Sequence, residues 1–367
     1  MRKSSIALLI LSTFLSVLIA CKKDKKETDA VGEPAKYDGT VYSLNSGAFP
    51  APVIAFDNQL TVQGVELGRM LFYEKSLSRD NSMACANCHK QEFAFDDTAN
   101  FSIGVLGLKG KRQAMAIFNT AWHTNEFFWD GRSHLLRDQS LMPIQDTLEM
   151  FETLPSIISK LSMNPIYQAQ FIRAFGTSEV TSEKVSKAME QFMNSIVSND
   201  SKYDRYLGGS ATLTPSEDNG RKLFFLEYNQ FFPSQSGAEC SHCHSGFNFT
   251  NNDYMNNGLD NDASITDIGR KKVTNIAADK GKFKVPSLRN IALTAPYMHD
   301  GRFKTLEEVV NHYNNGLQAS TYIDPALENT RGTGLMLTGQ QKADLVNFLK
   351  TLTDYSMVNN PKYKSPF

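Results

Sequence analysis

The sequence has no excess of basic residues. Its 38 lysine and arginine residues stand against 39 aspartate and glutamate residues, for a formal net charge of -1. Nucleic-acid-binding proteins normally show a basic stripe, so the charge balance argues against that class. Past residue 20 the chain also lacks an apolar run long enough to span a bilayer. With 41% hydrophobic and 21% charged residues, the composition is that of a globular protein, and 367 residues are enough for two domains.

The long apolar segment that the chain does have lies at its start. Residues 1–21 have a charged beginning (Arg2 and Lys3), an apolar core too short for a comfortable span, and an ending that resembles a bacterial lipobox. We predict a lipoprotein signal peptide, cleaved to leave a lipid-modified Cys21, followed by a polar tether over residues 22–52. A plain secretory signal or an uncleaved anchor is the alternative. The prediction implies an exported, membrane-anchored lipoprotein that faces the periplasm or the cell exterior.

Cysteine is scarce, with only five residues in the chain. If Cys21 carries lipid, the other four form two C-x-x-C pairs, each followed by histidine, and none is left for a structural disulfide. C-x-x-C-H is the attachment signature of c-type haem, and two chance matches in a sequence of this composition are very improbable. The two motifs therefore predict two covalent haems, attached through Cys85, Cys88 and His89 and through Cys240, Cys243 and His244.

Two other readings of the cysteines carry less weight. A single zinc ion bound by all four thiolates would leave both histidines unexplained and would need a very long loop. A thioredoxin-like redox motif would need a βαβ pattern, which the sequence does not show.

The sequence repeats one plan in two copies. GRMLF at residues 68–72 precedes the first haem motif, and GRKLF at residues 220–224 precedes the second. Later in each half comes Asp-Gly-Arg, at residues 130–132 and 300–302. The shared order and similar spacing suggest duplication of one haem-binding unit.

The regular segments favour helices over strands. The stretches 214–217 and 338–341 have the capping-box pattern that starts a helix, and convincing alternating strands are scarce. We predict an all-α fold with two small cytochrome c-like haem domains in tandem, residues 53–208 and 209–367. A haem would supply much of the apolar core of each domain.

Three stretches carry a resemblance to a known family. Residues 65–97, 127–150 and 284–316 resemble, in that order, the bacterial di-haem cytochrome c peroxidase/MauG family. The resemblance covers roughly residues 53–352, nearly the whole chain after the predicted signal peptide and tether. In this family the N-terminal haem reacts with hydrogen peroxide and the C-terminal haem passes electrons to it.

The resemblance implies a role for several residues. It makes His89 the proximal ligand of the peroxidatic haem and His244 that of the electron-transfer haem, and it puts Trp129 between the two haems. A carboxylate in a partly apolar pocket can move a proton between the two peroxide oxygens, and an amide can donate to developing charge. The residues that the family matches to this distal pocket are Gln139, Pro143 and Glu149.

Residues 101–119 determine whether the first haem iron has an open coordination position. In many family members a histidine in this loop caps the peroxidatic iron, but the segment here has none, and Val105 stands at the position of the cap. Of the later histidines, we expect His123 to be a satisfied packing residue and His134 to be exposed. An open position on the first iron makes it an enzyme site.

The second iron needs a distal ligand from the region after residue 297. A capping box at Thr305 predicts a helix whose apolar face includes Tyr313, with His312 off that face toward solvent. MauG-like family members have tyrosine at this position and the peroxidases have methionine. We predict Tyr313 as the ligand, with Met298 as the alternative, and the resemblance assigns His299 to a haem propionate.

The resemblance also suggests a calcium ion between the domains. Thr294 and Pro296 match two backbone carbonyl donors, and Gln113 stands where the family has asparagine, which keeps the amide oxygen but changes its reach. The implied partners are hydrogen peroxide and a small electron donor such as a cytochrome c or a cupredoxin, with room for a homodimer and no nucleic acid.

The function predicted from the sequence is therefore reduction of hydrogen peroxide to water by a di-haem c-type peroxidase. Two alternatives stay open: a MauG-like oxidase that modifies a partner protein by long-range electron transfer, and a non-catalytic di-haem electron carrier.

Overall fold

Helices make up most of the regular structure in the computed structural model, which describes residues 34–232 and 235–367. Residues 35–367 form one compact unit. In the first part of this unit the helices are α1 (Val62–Tyr73), α2 (Leu136–Gln145), α3 (Leu154–Ser162), α4 (Pro165–Phe175), α5 (Ser182–Ser195) and α6 (Lys202–Leu207). In the second part they are α7 (Pro215–Phe225), α8 (Lys271–Thr274), α9 (Leu306–Asn311), α10 (Pro325–Glu328), α11 (Gly339–Lys350) and α12 (Tyr355–Val358).

The prediction of an all-α fold needs one correction. Strands β1 (Tyr254–Met255) and β2 (Phe283–Lys284) form a small antiparallel sheet, in which Met255 lies opposite Phe283. Two residues per strand are too few to produce the alternation by which a strand is recognised in a sequence. The body is otherwise helix-rich, as predicted.

Two hydrophobic cores organise the compact unit. The first lies around α1 and α5 and includes Phe72, Phe95 and Phe192, all fully buried. The second lies around α7 and α11 and includes Phe224 and Phe348. Each haem motif contributes to one of these cores, since Cys85 packs against the first and Cys240 against the second.

The chain crosses between the two cores near the predicted domain boundary and again at its C-terminal end. Tyr203 of α6 packs in the second core, although it precedes the boundary predicted at residues 208 and 209. Met357 and Tyr363 return to the first core, where the Tyr363 hydroxyl donates to the Ser195 carbonyl at 3.0 Å. The C-terminal tail therefore belongs to the packing of the first half.

The repeated GR-x-LF segments make the same helix contact in both halves. A Cβ atom on Gly68 of α1 would lie 2.0 Å from the Ala188 carbonyl oxygen on α5. A Cβ atom on Gly220 of α7 would lie 1.9 Å from the Asp344 carbonyl oxygen on α11. Only glycine permits backbones to approach so closely, so the repeated glycine reports a repeated helix pair.

The repeated Asp-Gly-Arg segments also adopt one geometry. Gly131 and Gly301 have φ angles of 71° and 65°, and isolated antiparallel bridges close the turns, Phe127 with Ser133 and Tyr297 with Phe303. Phe128 and Met298 occupy the same place in the two turns and both have positive φ, 68° and 73°. At the next position of the two turns, Trp129 in the first half corresponds to His299 in the second. These matches support the predicted duplication of one unit.

The predicted tether is wrong for residues 38–52. The Asp38 N–H donates to the Arg173 carbonyl at 2.9 Å, and Tyr42 N–H donates to the Leu60 carbonyl at 3.0 Å. Phe49 packs edge-on against Trp122, whose indole N–H donates to the Pro50 carbonyl at 2.8 Å. The attachment of this stretch depends on contacts with residues far away in the chain, which its composition does not reveal.

The predicted signal peptide, Cys21 and residues 22–33 lie outside the described residues. Within the described residues, no helix is long and apolar enough to cross a membrane. The capping boxes predicted at Thr214, Thr305 and Thr338 are confirmed, since each threonine side chain accepts from the backbone N–H three residues later.

Candidate functional site

The first C-x-x-C-H motif forms a single tight turn. Residues Cys85–Asn87 make a 3₁₀ turn, and the His89 N–H donates to the Cys85 carbonyl at 3.0 Å. His89 Nδ1 lies 3.0 Å from the Phe95 carbonyl oxygen, so the ring donates from Nδ1 and keeps Nε2 for a metal. Burial lowers the pKa of His89, which favours the neutral imidazole that binds iron.

The second motif repeats this arrangement. Cys240–His242 form the 3₁₀ turn, and the His244 N–H donates to the Cys240 carbonyl at 2.9 Å. His244 Nδ1 lies 3.2 Å from the Phe249 carbonyl oxygen and 3.1 Å from that of Pro286. Burial lowers the pKa of His244 to about 4, so this ring too is neutral and oriented with Nε2 free.

The residues of both motifs fit a covalent haem. The thiols of Cys85, Cys88, Cys240 and Cys243 are free of disulfides. Cys240, Cys243 and His244 line one cavity of about 270 Å³ with mostly apolar walls. A zinc ion shared by the four thiolates does not fit, because the two motifs belong to different hydrophobic cores.

Helix α2 and the turn after it bring the predicted distal residues together. Gln139 and Pro143 lie four residues apart on α2, so they share one face of the helix. Pro143 has no N–H to donate, but its carbonyl accepts from Met150 N–H at 3.2 Å and folds the turn back on the helix. Glu149 lies in this turn, where its N–H donates to the Asp146 carbonyl at 3.0 Å.

The carboxyl group of Glu149 has a shifted pKa. Burial, and after it the negative charge of Asp146, raise the pKa to about 7, and the positive charge of Arg132 opposes them in part. A carboxyl group that titrates near neutral pH can both accept and release a proton at low cost, as general acid–base catalysis requires.

The loop that carries Val105 lies directly against Glu149. The Val105 N–H donates to the Glu149 carbonyl at 2.8 Å, and a bridge between Ile103 and Lys109 closes the loop. A Cβ atom on Gly104 would lie 2.1 Å from the Leu148 carbonyl oxygen, which shows how closely the loop approaches. Residues 101–110 contain no histidine, methionine, cysteine or tyrosine, so this loop offers no side chain of the types that usually ligate haem iron.

The two other histidines suggested as caps lie elsewhere. His134 is exposed, as predicted. His123 lines the cavity of the second motif and stacks on Phe127 with ring centroids 5.0 Å apart. It packs as predicted but is not satisfied, because its buried Nε2 has no hydrogen-bond partner. No motif in the sequence indicates this unpartnered nitrogen.

Trp129 links the two halves of the compact unit. The indole N–H donates to the Gln113 carbonyl at 2.8 Å, and the Trp129 carbonyl accepts from Lys284 N–H at 2.8 Å. Trp129 also lines the cavity of the second motif. Lys284, which the sequence analysis did not single out, is buried there, and burial lowers its pKa to about 8.

The residues proposed for calcium line the same cavity, together with one that the sequence analysis missed. Gln113, Thr294 and Pro296 all line it, and so does Asp96, a buried aspartate. Gln113 Nε2 donates to Asp96 Oδ1 at 2.7 Å. Burial raises the pKa of Asp96 well above its usual range, because the charged carboxylate is disfavoured there unless a cation faces it.

Both candidate ligands of the second iron line the cavity beside His244. Tyr313 lies in a π-helical turn (His312–Gly316) that follows α9, and Met298 lies in the Asp-Gly-Arg turn. π-turns are frequent at functional sites because they shift one side chain off the regular helical position. Asn257, which no sequence motif marks, touches both: its Nδ2 lies 3.3 Å from Tyr313 Oη and 3.3 Å from Met298 Sδ.

The predicted position of His312 is wrong, and the contact of His299 with a haem propionate stays a prediction. His312 is buried, not solvent-facing, and its Nε2 lies 3.1 Å from the Asn257 carbonyl oxygen. The π-turn changes the angle between successive side chains, which α-helical spacing did not anticipate. His299 lines the cavity and stacks on Phe283 with centroids 3.7 Å apart.

Comparison with known proteins gives one family. The family model of di-haem cytochrome c peroxidase matches residues 62–212. The chain is 34% identical to the cytochrome c551 peroxidase of Nitrosomonas europaea, over 67% of this chain and 71% of that protein. It is 29% identical to the methylamine utilization protein MauG of Methylophilus methylotrophus, over 83% of this chain and 86% of that protein.

A solved structure of a similar protein supports the same family. A MauG-like protein associated with microbial copper homeostasis is similar at 33% identity and a TM-score of 0.81, with 89% of this chain and 99% of that chain covered. Both C-x-x-C-H turns also present a partly buried histidine whose Nδ1 is held by a backbone carbonyl, which suits an iron ligand. The chain therefore belongs to the di-haem cytochrome c peroxidase family and is a peroxidase-type oxidoreductase with two c-type haems.

Proposed function

We propose that the protein reduces hydrogen peroxide to water, H₂O₂ + 2 H⁺ + 2 e⁻ → 2 H₂O, in the pocket beside the first haem. Each half forms a cytochrome c-like domain, and electrons from a small donor such as a cytochrome c or a cupredoxin enter through the second haem. When bound, the haems supply the iron that exchanges electrons with peroxide and donor. Cys85, Cys88 and His89 hold the first haem, and Cys240, Cys243 and His244 hold the second.

One observation carries this proposal: the contact between Val105 and Glu149. The backbone of the loop over residues 101–110 bonds to the backbone of Glu149, and the loop contains no histidine, methionine, cysteine or tyrosine that could occupy the iron position. A distal side with a proton-handling group and no protein ligand suits a small substrate such as peroxide.

Glu149 moves the proton in this scheme. Its carboxylate would accept a proton from one oxygen of peroxide and pass it to the other, so that this second oxygen can leave as water when the O–O bond breaks. Two electrons from the haems and two further protons would convert the remaining oxygen into the second water. Gln139, on the neighbouring face of α2, donates a hydrogen bond to the charge that develops on oxygen. Pro143 holds the turn in which Glu149 lies.

Trp129 serves the electron relay. Its indole N–H bonds to Gln113 of the first half, and its backbone carbonyl bonds to Lys284 of the second. An aromatic ring at this point shortens the distance of each electron transfer.

The test is to add peroxide to the fully oxidised protein without prior reduction. We expect the optical spectrum to change at once, and cyanide to bind to the first haem, because no side chain has to leave the iron. If half-reduction proves obligatory, a residue outside the 101–110 loop caps the first iron and the proposal of an open site fails.

A second candidate function is oxidation of a partner protein in the manner of MauG. One observation favours it: Tyr313 and His244 both line the cavity of the second motif. A phenolate ligand stabilises high-valent iron, whereas methionine raises the potential. Steady-state peroxide turnover with reduced cytochrome c supports the peroxidase. Failure of such turnover, together with oxidised residues in a partner protein, supports the second candidate.

The third reading, a non-catalytic electron carrier, is disfavoured. It needs a protein ligand on both faces of both irons, which the Val105 loop does not provide on the first. A ferric spectrum with no high-spin component would restore it.

We further propose a calcium ion beside Trp129. Its oxygen donors are the carbonyls of Thr294 and Pro296 and the side chains of Gln113 and Asp96, which all line one cavity. Hard oxygen donors suit calcium, and a cation would balance the buried Asp96 carboxylate. Elemental analysis of the purified protein tests this, and a calcium content below one ion per chain after dialysis against calcium argues against it.

We also propose that the protein is an exported lipoprotein anchored through Cys21. The support is the lipobox-like sequence at residues 18–21. Cys21→Ser should release the protein from the membrane fraction or leave it unprocessed, with haem content retained. Wild-type protein that partitions into the aqueous phase of a detergent extraction would contradict the anchor.

A further inference from the structure

One amide group touches both candidate ligands of the second haem. Asn257 Nδ2 lies 3.3 Å from the hydroxyl oxygen of Tyr313 and 3.3 Å from the sulfur of Met298. All three side chains line the cavity that contains His244. Asn257 therefore contacts both atoms that could bind the iron, the Tyr313 oxygen and the Met298 sulfur.

The backbone holds Asn257 in a fixed place. Its carbonyl accepts from His312 Nε2 at 3.1 Å, which ties it to the residue before Tyr313. On either side, the Gly258 N–H donates to Asn256 Oδ1 at 3.0 Å, and the Gly258 carbonyl accepts from Gln318 N–H at 2.8 Å. An amide restrained in this way can direct its N–H groups with little entropic cost.

The chemistry of the two contacts is unequal. An amide nitrogen only donates, and its hydrogen bond to an anionic oxygen is roughly twice as strong as one to a neutral oxygen. A thioether sulfur is a weak acceptor. The Asn257 N–H groups are therefore a much better match for the Tyr313 oxygen than for the Met298 sulfur.

Met298 is positioned by its turn. It has φ of 73° at the place that Phe128 occupies, with φ of 68°, in the equivalent turn of the first half. Phenylalanine cannot ligate a metal, so this turn geometry exists without any ligand role for the residue.

We propose that Asn257 is a positioning residue that selects Tyr313 over Met298 as the ligand of the second haem and adjusts the potential of that haem. The inference rests on the proposed di-haem function and on Tyr313 as its ligand. Because a hydrogen bond to the phenolate oxygen withdraws electron density from it, Asn257 raises the potential above that of the same ligand without the donor.

The test uses the full-length holoprotein with Asn257→Leu and Asn257→Asp, which both remove the two N–H groups. The readouts are the optical and EPR spectra and the midpoint potential of the second haem. With Asn257→Leu we expect a displaced spectrum and a lower potential. With Asn257→Asp, whose oxygen repels the phenolate, we expect partial replacement of tyrosine ligation by methionine, visible as a methionine–iron charge-transfer band that Met298→Leu abolishes.

Asn311→Leu is the matched control, since Asn311 is an exposed asparagine on α9 that bonds to Lys342 and does not line the cavity. It should leave spectrum and potential unchanged. Wild-type spectra and potentials in both Asn257 variants would overturn the inference, and so would loss of the second haem from both, which would show a purely structural role.

Tyr313→Phe separates this inference from the proposed function. If Tyr313→Phe leaves the second haem unchanged, the ligand assignment itself fails. If Tyr313→Phe alters the second haem while the Asn257 variants do not, only the role of Asn257 fails.

Discussion

Glu149 is the residue on which the proposed chemistry depends most directly. Burial raises the pKa of its carboxyl group from the ordinary 4.5 to about 7, so the group is protonated in acid and becomes a carboxylate as the pH passes 7. Since only the carboxylate can accept a proton from peroxide, the rate of peroxide reaction should rise with pH to a plateau above pH 7. Glu149→Gln should abolish this pH dependence and slow the reaction about 10²- to 10⁴-fold, with both haems attached.

Stopped-flow mixing with peroxide across pH 5–9 measures this effect. Asp138→Asn is the matched control, because Asp138 is an exposed carboxylate on α2 that should not touch the substrate. Unchanged rates in Glu149→Gln would remove Glu149 from the mechanism.

Residues with a motif were predictable, whereas residues placed by tertiary contact were not. The haem-binding cysteines and histidines follow from a five-residue signature, and the turn geometry around them agrees with it. Asn257 and Asp96 carry no such signature, since each is defined only by what folds against it. His312 was misplaced because the sequence predicts an α-helix where the chain forms a π-turn.

At the scale of elements, the repeated glycines make a prediction about helix packing. Gly220→Ala puts a methyl group 1.9 Å from the Asp344 carbonyl oxygen, so α7 must move away from α11. Overpacking of this kind typically costs about 1–3 kcal/mol of the free energy of unfolding. Denaturant unfolding followed by circular dichroism measures the loss.

Gly339→Ala is the control for this change. Gly339 is the first residue of α11, and a Cβ atom there would have nothing within 4 Å. Alanine has the higher helix propensity, so this variant should be as stable as wild type or slightly more so. Equal stability of the two variants would show that α7 and α11 do not pack as described.

Elements with a local sequence signal were predictable, whereas elements that depend on distant residues were not. Capping boxes at Thr214, Thr305 and Thr338 depend on residues three apart, and all three are confirmed. The β1–β2 pair joins residues about thirty apart and has no local pattern. The attachment of residues 38–52 likewise depends on distant carbonyls such as that of Arg173.

For the whole molecule, the sequence repeats predicted two similar halves, and two hydrophobic cores agree with them. What the repeats could not predict is how the chain ends: Met357 and Tyr363, after the second half, pack in the first core. Tail segments outside a repeat have no internal counterpart from which to infer their contacts. The two halves are therefore linked by the tail as well as by Trp129.

The last prediction concerns haem as part of the fold. The cavity of the second motif has a volume of about 270 Å³ and is lined mostly by apolar side chains, including Leu345 and Leu349 of α11. Without the haem these apolar walls face water and lose the packing that the haem supplies, which removes much of the driving force for folding of this half. A Cys240→Ala/Cys243→Ala variant, which cannot attach the second haem, should therefore lose ordered structure in the second half while the first haem keeps its absorbance.

Limited proteolysis with mass spectrometry should locate the first cuts within residues 209–352, whereas the reciprocal Cys85→Ala/Cys88→Ala variant should be cut first in the first half. A far-ultraviolet spectrum and unfolding midpoint equal to those of the wild type would show that the second half folds without its haem.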